Sequence, residues 1–153
     1  MTKYALISDI HGNLPALASV LHDILIKKDI KRQNVRCLGD IIGYGPFVNE
    51  CTDMIRSMEI PTVKGNHDRA GVEPNFADIL NFNALAQAPL EYTKDTLSKK
   101  NKDFLISREY NIRENDFELV HSSPISPSKF YYMGEAGSHS IDPGQCFEAF
   151  QEQ

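Results

Sequence analysis

The chain has 153 residues, a formal net charge of −5, a pI near 5.5, 41% hydrophobic residues and 24% charged residues. That is the length of one domain able to bury a real core, with the composition of a soluble globular protein. The acidic balance argues against a general binder of nucleic acid or membrane surface, which carries a basic face, and leaves room for a local basic pocket.

Cys37, Cys51 and Cys146 are few, odd in number and widely spaced. They form neither a disulfide framework nor a structural zinc pair, so a reducing cytoplasm is the expected setting. The opening "MTKYALISDI" reads as a first strand rather than a signal peptide. Nowhere does an apolar run approach the roughly 18 residues of a membrane helix.

In chain order, the first predicted strand is Tyr4 to Ile7. Leu14, Leu17, Val20, Leu21, Ile24 and Leu25 then recur at helical spacing, with the N-cap at Asn13 or Leu14 and Pro15 in the first turn. "VRCLGDIIGYGP" repeats the scheme: a strand from Val35 to Leu38, a glycine-punctuated loop, and a helix whose buried face holds Val48, Cys51, Ile55 and Met58. "IPTVKGNHD" supplies a third strand, Ile60 to Val63, ending in a tight turn at Gly65. This alternation predicts an α/β fold with a largely parallel sheet covered by helices, and ligands bind such sheets outside the carboxyl ends of the strands.

The middle is helical, with apolar residues at Ile79, Leu80, Leu85, Leu90 and Leu97, and Pro89 is expected to break or kink it. Ser98 caps a short helix through Phe104, Leu105 and Ile106. Tyr110 and Ile112, a turn at Asn115 and Asp116, then Phe117, Leu119 and His121 give a hairpin. After residue 125 the sequence offers one strand near Tyr131 and a helix-like end, too little apolar sequence to finish a second sheet.

The strand ends carry the chemistry: Asp9, His11, Asp40, Asn66, His67 and His121 are expected to meet at one edge. Asp-x-His after a strand offers two ligands on one side, because alternate residues of a strand share a face. Imidazole with carboxylate and amide oxygen suits a borderline divalent ion such as Mn, Fe, Zn or Ni better than Mg or Ca. Asp40 has two oxygens with which to bridge two ions, and paired ions about 3.5–4 Å apart clamp a phosphoryl group. Taken singly, each cluster has a plainer use. Asp9 alone suits a helix cap, the glycines of "GDIIGYGP" alone suit a turn, and His121 alone suits a partly buried histidine. A turn needs only one residue like those in Asn66-His67-Asp68, and four such clusters at four strand ends favour a metal site.

"DIHGN" (Asp9 to Asn13), "GDIIGYGP" (Gly39 to Pro46), "GNHD" (Gly65 to Asp68) and "VHSSP" (Val120 to Pro124) occur in that order. Together they resemble the calcineurin-like metallophosphoesterase superfamily, closest to its small bacterial members described as predicted phosphodiesterases. The resemblance implies a layered β-sandwich flanked by helices, formed by one domain over 1–153. It implies that Asp9 and His11 bind a first metal, that Asp40 bridges, and that Asn66 and His121 bind a second metal, manganese being favoured. His67 is similar to the family's catalytic histidine, which protonates the leaving oxygen, and Asp68 is expected to orient His67. Arg69 is open between a phosphate contact and a solvated side chain. The implied reaction is hydrolysis of phosphodiesters or phosphomonoesters by a hydroxide held between the metals. The acidic surface favours a small phosphorylated substrate over long nucleic acid.

The family's last motif, Gly-His-x-His, has no counterpart. "GSHS" at Gly137 to Ser140 holds one histidine, His139. Each metal then lacks one protein ligand, and the C-terminal part is expected to be truncated, leaving a sheet edge on which another copy of the chain can pair. A fragment of a longer protein, a partner that completes the site, and a weakened site serving as a binding scaffold all remain open. A metal-free nucleotide-binding module ranks last, because neither GxGxxG nor GxxxxGK[ST] is present.

Overall fold

The computed structural model describes residues 2–73, 84–114, 116–133 and 140–142. Strand β1 (Ala5–Ile7) pairs in parallel with β2 (Val35–Cys37), placing Ala5 opposite Val35 and Ile7 opposite Cys37. The expected third strand is reduced to a parallel bridge between Cys37 and Thr62. It is fastened by Cys37 N–H to the Pro61 carbonyl at 2.9 Å and Val63 N–H to the Cys37 carbonyl at 3.1 Å. Pro61 has no N–H to give, which limits a longer ladder.

Helix α1 (Leu14–His22) begins where expected, with the Asn13 side chain accepting the Ala16 amide at 3.1 Å and Pro15 in the first turn. The chain continues from it as a π-helical turn, Asp23–Lys27. Helix α2 (Val48–Ser57) buries Val48, Cys51, Thr52 and Ile55. Val48, Cys51 and Ile55 join Ile7, Ile10, Leu17, Leu21, Val35, Cys37, Ile41 and Ile42 in the main core, so the apolar stripes of both helices close on the parallel strands.

Helix α3 (Asn66–Val72) is not expected from the sequence, which places a tight turn at Gly65 and no helix after it. Helix α4 (Ala84–Thr96) runs through Pro89 without ending there. An interior proline costs on the order of 3 kcal/mol. Packing offsets it: Leu90 of α4 and Ala70 of α3 form a second core with Phe130, against Tyr110. Ser98 caps α5 (Lys99–Ile106) as expected, accepting the Asn101 amide at 3.3 Å.

The hairpin is also observed, β3 (Asn111–Arg113) antiparallel to β4 (Glu118–Val120). Near Tyr131, β5 (Tyr132–Met133) pairs in parallel with β6 (Ser140–Ile141). Ile79, Leu80, Asn115, His139 and the helix-like end lie outside the described residues. Parallel strands packed under helices, with a separate hairpin, make the layered α/β architecture the sequence predicts. Among the described residues no helix is long and apolar enough to cross a membrane.

Candidate metal centre

The loops that leave β1 and β2 run side by side. Asp9 N–H bonds the Gly39 carbonyl at 3.1 Å, His11 N–H the Asp40 carbonyl at 2.9 Å and Gly12 N–H the Ile41 carbonyl at 2.8 Å. Asp9 (φ 55°), His11 (φ 48°) and Asp40 (φ 53°) all occupy the left-handed region. Non-glycine residues rarely do so, and such strain persists only where surrounding contacts fix it. Strand alternation is therefore not what unites Asp9 and His11. Both lie beyond the end of β1, and the left-handed loop turns them together.

Their donor atoms converge on Asp40. His11 Nε2 lies 3.6 Å from Asp9 Oδ1 and 3.8 Å from Asp40 Oδ2. His121, just past β4, points Nε2 at Asn66 Oδ1 (3.0 Å) and Asp40 Oδ2 (3.4 Å). Each histidine turns Nδ1 to a backbone carbonyl, Ile42 at 3.1 Å for His11 and Leu38 at 2.7 Å for His121. A carbonyl can only accept, so Nδ1 carries the proton and Nε2 is the atom aimed at the centre.

Two trios of potential ligand atoms, each within 4.8 Å of one another, share Asp40: His11, Asp40 and His67, and Asp9, Asp40 and His121. Imidazole nitrogens, carboxylate oxygens and an amide oxygen around one carboxylate fit a borderline divalent ion. Distance alone would admit His67 to the ligand set. It would also group Asp9 with His121 rather than with His11.

Asn66, His67 and Asp68 are the first three residues of α3, which explains how they divide the work. Successive helix residues point about 100° apart, so neighbours do not face one another. Asp68 does not turn toward His67 as the sequence suggested. Its Oδ1 accepts the amides of Ile41 (2.8 Å) and Ile42 (3.2 Å), and its Oδ2 those of Asp40 (2.8 Å) and Gly65 (3.0 Å). It braces the loop that carries Asp40. Asp40 Oδ1 reciprocates by accepting the His67 amide at 2.8 Å.

Gly65 has an ordinary extended backbone (φ −87°, ψ 172°), so it is not there to make a tight turn. A Cβ at this position would meet Asp40 Oδ1 at 2.0 Å. Glycine is needed for space. The Arg69 side chain is engaged within the fold: its Nε donates to Glu73 Oε2 at 2.7 Å, a terminal nitrogen donates to the Ser128 carbonyl at 3.0 Å, and its guanidinium lies 5.5 Å from the Tyr110 ring centre.

Burial and charge set the protonation states. Burial pushes Asp40 up, but the His121 hydrogen bond and the charges of His121, His67 and His11 outweigh it and hold Asp40 below the usual carboxylate range. Burial alone lowers His121, while the hydrogen bond to Asp40 and its charge raise it to about 9. His121 is thus the counter-cation of Asp40 in the metal-free protein. Burial lowers His67, keeping it neutral more readily than a free imidazole. Asp68 is pushed up to about 6 by burial and by the Asp40 charge, against the amides it accepts.

The sequence profile of calcineurin-like phosphoesterases matches residues 2–142. The chain belongs to the calcineurin-like phosphoesterase family. It is 38% identical over 133 residues to protein MJ0912 of Methanocaldococcus jannaschii, a match covering 84% of this chain and 53% of that protein. It superposes on a metallophosphoesterase from Sphaerobacter thermophilus with a TM-score of 0.62 and 32% identity, covering 80% of this chain and 47% of that one. The protein PH1004 from Pyrococcus horikoshii OT3 shares the fold at a TM-score of 0.75 and 24% identity, over 99% of this chain and 65% of that one. The chain spans about half the length of the first two relatives.

Within this phosphoesterase scaffold, Tyr44 is the neighbour that sequence inspection passed over. Its ring centre lies 4.9 Å from those of both His11 and His67, which are themselves 4.7 Å apart. The signal was its place inside "GDIIGYGP", read as turn punctuation. Gly43 just before it (φ 140°) lies so close that a Cβ would meet His11 Nδ1 at 2.6 Å and His67 Nδ1 at 2.9 Å.

Proposed function

We propose that this phosphoesterase-family chain hydrolyses phosphodiester or phosphomonoester bonds of small phosphorylated molecules with two divalent ions, manganese being favoured. The observation that carries the reading is the convergence of His11 Nε2 and His121 Nε2 on one buried carboxylate, Asp40. Asp9, His11 and Asp40 would hold one ion, and Asp40, Asn66 and His121 would hold the other. Bound ions supply Lewis acidity, which lowers the pKa of water and offsets charge on phosphoryl oxygens.

The chain's own groups do the rest. Asp40 keeps the two ligand sets in register through the brace from Asp68. The Nδ1 tethers of His11 and His121 orient the rings before any ligand arrives, so little reorganisation is left to the reaction. His67 stays outside the ligand set. Fixed by its amide bond to Asp40 Oδ1, it carries a proton to the oxygen that leaves phosphorus.

The negative overall charge supports a small substrate over a polynucleotide. The buried, unbridged Cys37 and Cys51 support a reducing, cytoplasmic setting. Pairing of two copies through a sheet edge is the interaction we retain from the sequence. Manganese-dependent release of p-nitrophenol from bis-p-nitrophenyl phosphate and p-nitrophenyl phosphate tests the activity. No release from either ester by manganese-loaded protein would overturn it.

A further inference from the structure

Tyr44 stands beside His11 and His67 in a position its neighbours fix. Gly43, before it, fits against both imidazoles only because it has no side chain. Gly45, after it, donates its N–H to the His11 carbonyl at 2.6 Å. Between these two anchors the ring meets His11 edge-on at 73° and His67 at 48°.

The ring nevertheless remains open. Tyr44 is 48% exposed, and among the described residues its hydroxyl has no hydrogen-bond partner. Its loop also carries Phe47, 39% exposed, and receives Tyr92, 45% exposed, whose hydroxyl donates to the Pro46 carbonyl at 3.2 Å. The Asp40 centre is therefore carboxylate, amide and imidazole, and the exposed ring packed beside His67 is aromatic. A ligand matching both the polar centre and the exposed ring has a phosphoryl group at one end and a flat apolar group at the other.

We propose that Tyr44 is a specificity-determining residue that receives an aromatic or heteroaromatic leaving group beside His67. This rests on phosphoester hydrolysis at the Asp40 centre, with His67 supplying the proton to the leaving oxygen. The substituent on that oxygen must lie close to His67, and the exposed ring packed on His67 is that of Tyr44. Contact with the ring, rather than the hydroxyl, makes the selection. A small alkyl ester gains nothing from it.

Binding of phenylphosphonate and methylphosphonate, which no hydrolysis consumes, to the manganese-loaded protein by calorimetry tests the proposal. Wild type is expected to bind phenylphosphonate about tenfold more tightly, the size of one aromatic contact. Tyr44→Phe keeps the preference. Tyr44→Leu loses it, with manganese content and methylphosphonate affinity unchanged. Equal affinity for the two in wild type overturns the proposal even if no variant folds. So does a preference that survives Tyr44→Leu, or a parallel loss of both ligands in that variant. Phenyl preference without ester hydrolysis would contradict the proposed reaction and spare the role of Tyr44; hydrolysis without preference would do the reverse.

Discussion

Asp68 and Asp40 hold each other's backbone environment in place. Asp68 Oδ2 accepts the Asp40 amide at 2.8 Å, and Asp40 Oδ1 accepts the amide of His67, the residue before Asp68, at 2.8 Å. The first turn of α3 and the loop after β2 are thereby locked by two carboxylates, only one of which faces the metal centre.

Replacing Asp68 therefore acts on stability first. Asp68→Ala leaves the buried amides of Asp40, Ile41, Ile42 and Gly65 without their acceptor. Losing several such bonds costs on the order of 3 kcal/mol. Urea unfolding at neutral pH is expected to show that loss, with weaker manganese binding following from it. An unchanged midpoint would mean the brace is not needed.

His67→Ala should behave in the opposite way. In the proposed reaction it supplies a proton to the leaving oxygen, a contribution worth roughly 10²–10⁴-fold. Turnover of an ester with a poor leaving group falls by that order, while manganese content stays near wild type. Parallel loss of metal would instead place His67 among the ligands, as its distance from His11 and Asp40 permits.

Gly65→Ala introduces a methyl 2.0 Å from Asp40 Oδ1. Neither atom has room to retreat, since Asp40 is buried and its amide is held by Asp68. The variant is expected to lose at least tenfold in manganese affinity by titration. Wild-type affinity would show that the two loops can separate without cost.

The metal-free protein should lose stability as pH rises. His121 has a folded pKa of about 9 against an ordinary 6.5. A raised folded pKa stabilises fully below the unfolded value, and the effect is lost as pH climbs through the folded one. A decline approaching about 3 kcal/mol between pH 6.5 and 9 is expected, and His121→Gln should flatten it. With saturating manganese the trend reverses, because binding needs Nε2 free of its proton. Thermal melts across this range, with and without manganese, check the sign.

Much of the site is legible in the sequence because polar clusters interrupt apolar runs at intervals that only a strand-loop-helix repeat explains. Asp9, His11, Asp40, Asn66 and His121 do come together around one carboxylate. The brace is not legible: Asp68 binds backbone amides 26 to 28 positions away, and an amide leaves no mark on the sequence. Helix α3 is hidden because it starts on Asn-His-Asp and contains Gly71, all poor helix formers, and is held instead by packing of Ala70 against Leu90. The same packing carries α4 past Pro89. The left-handed backbone of Asp9, His11 and Asp40 likewise depends on loop-to-loop hydrogen bonds rather than on local preference.

The most direct test of the central claim is manganese content of the purified protein measured beside manganese-dependent hydrolysis of bis-p-nitrophenyl phosphate, in wild type and Asp40→Asn. Because Asp40 is the carboxylate shared by both donor trios, wild type should bind close to two equivalents and turn over, and the variant should lose both metal and activity. Full metal content and undiminished turnover in Asp40→Asn would contradict the account.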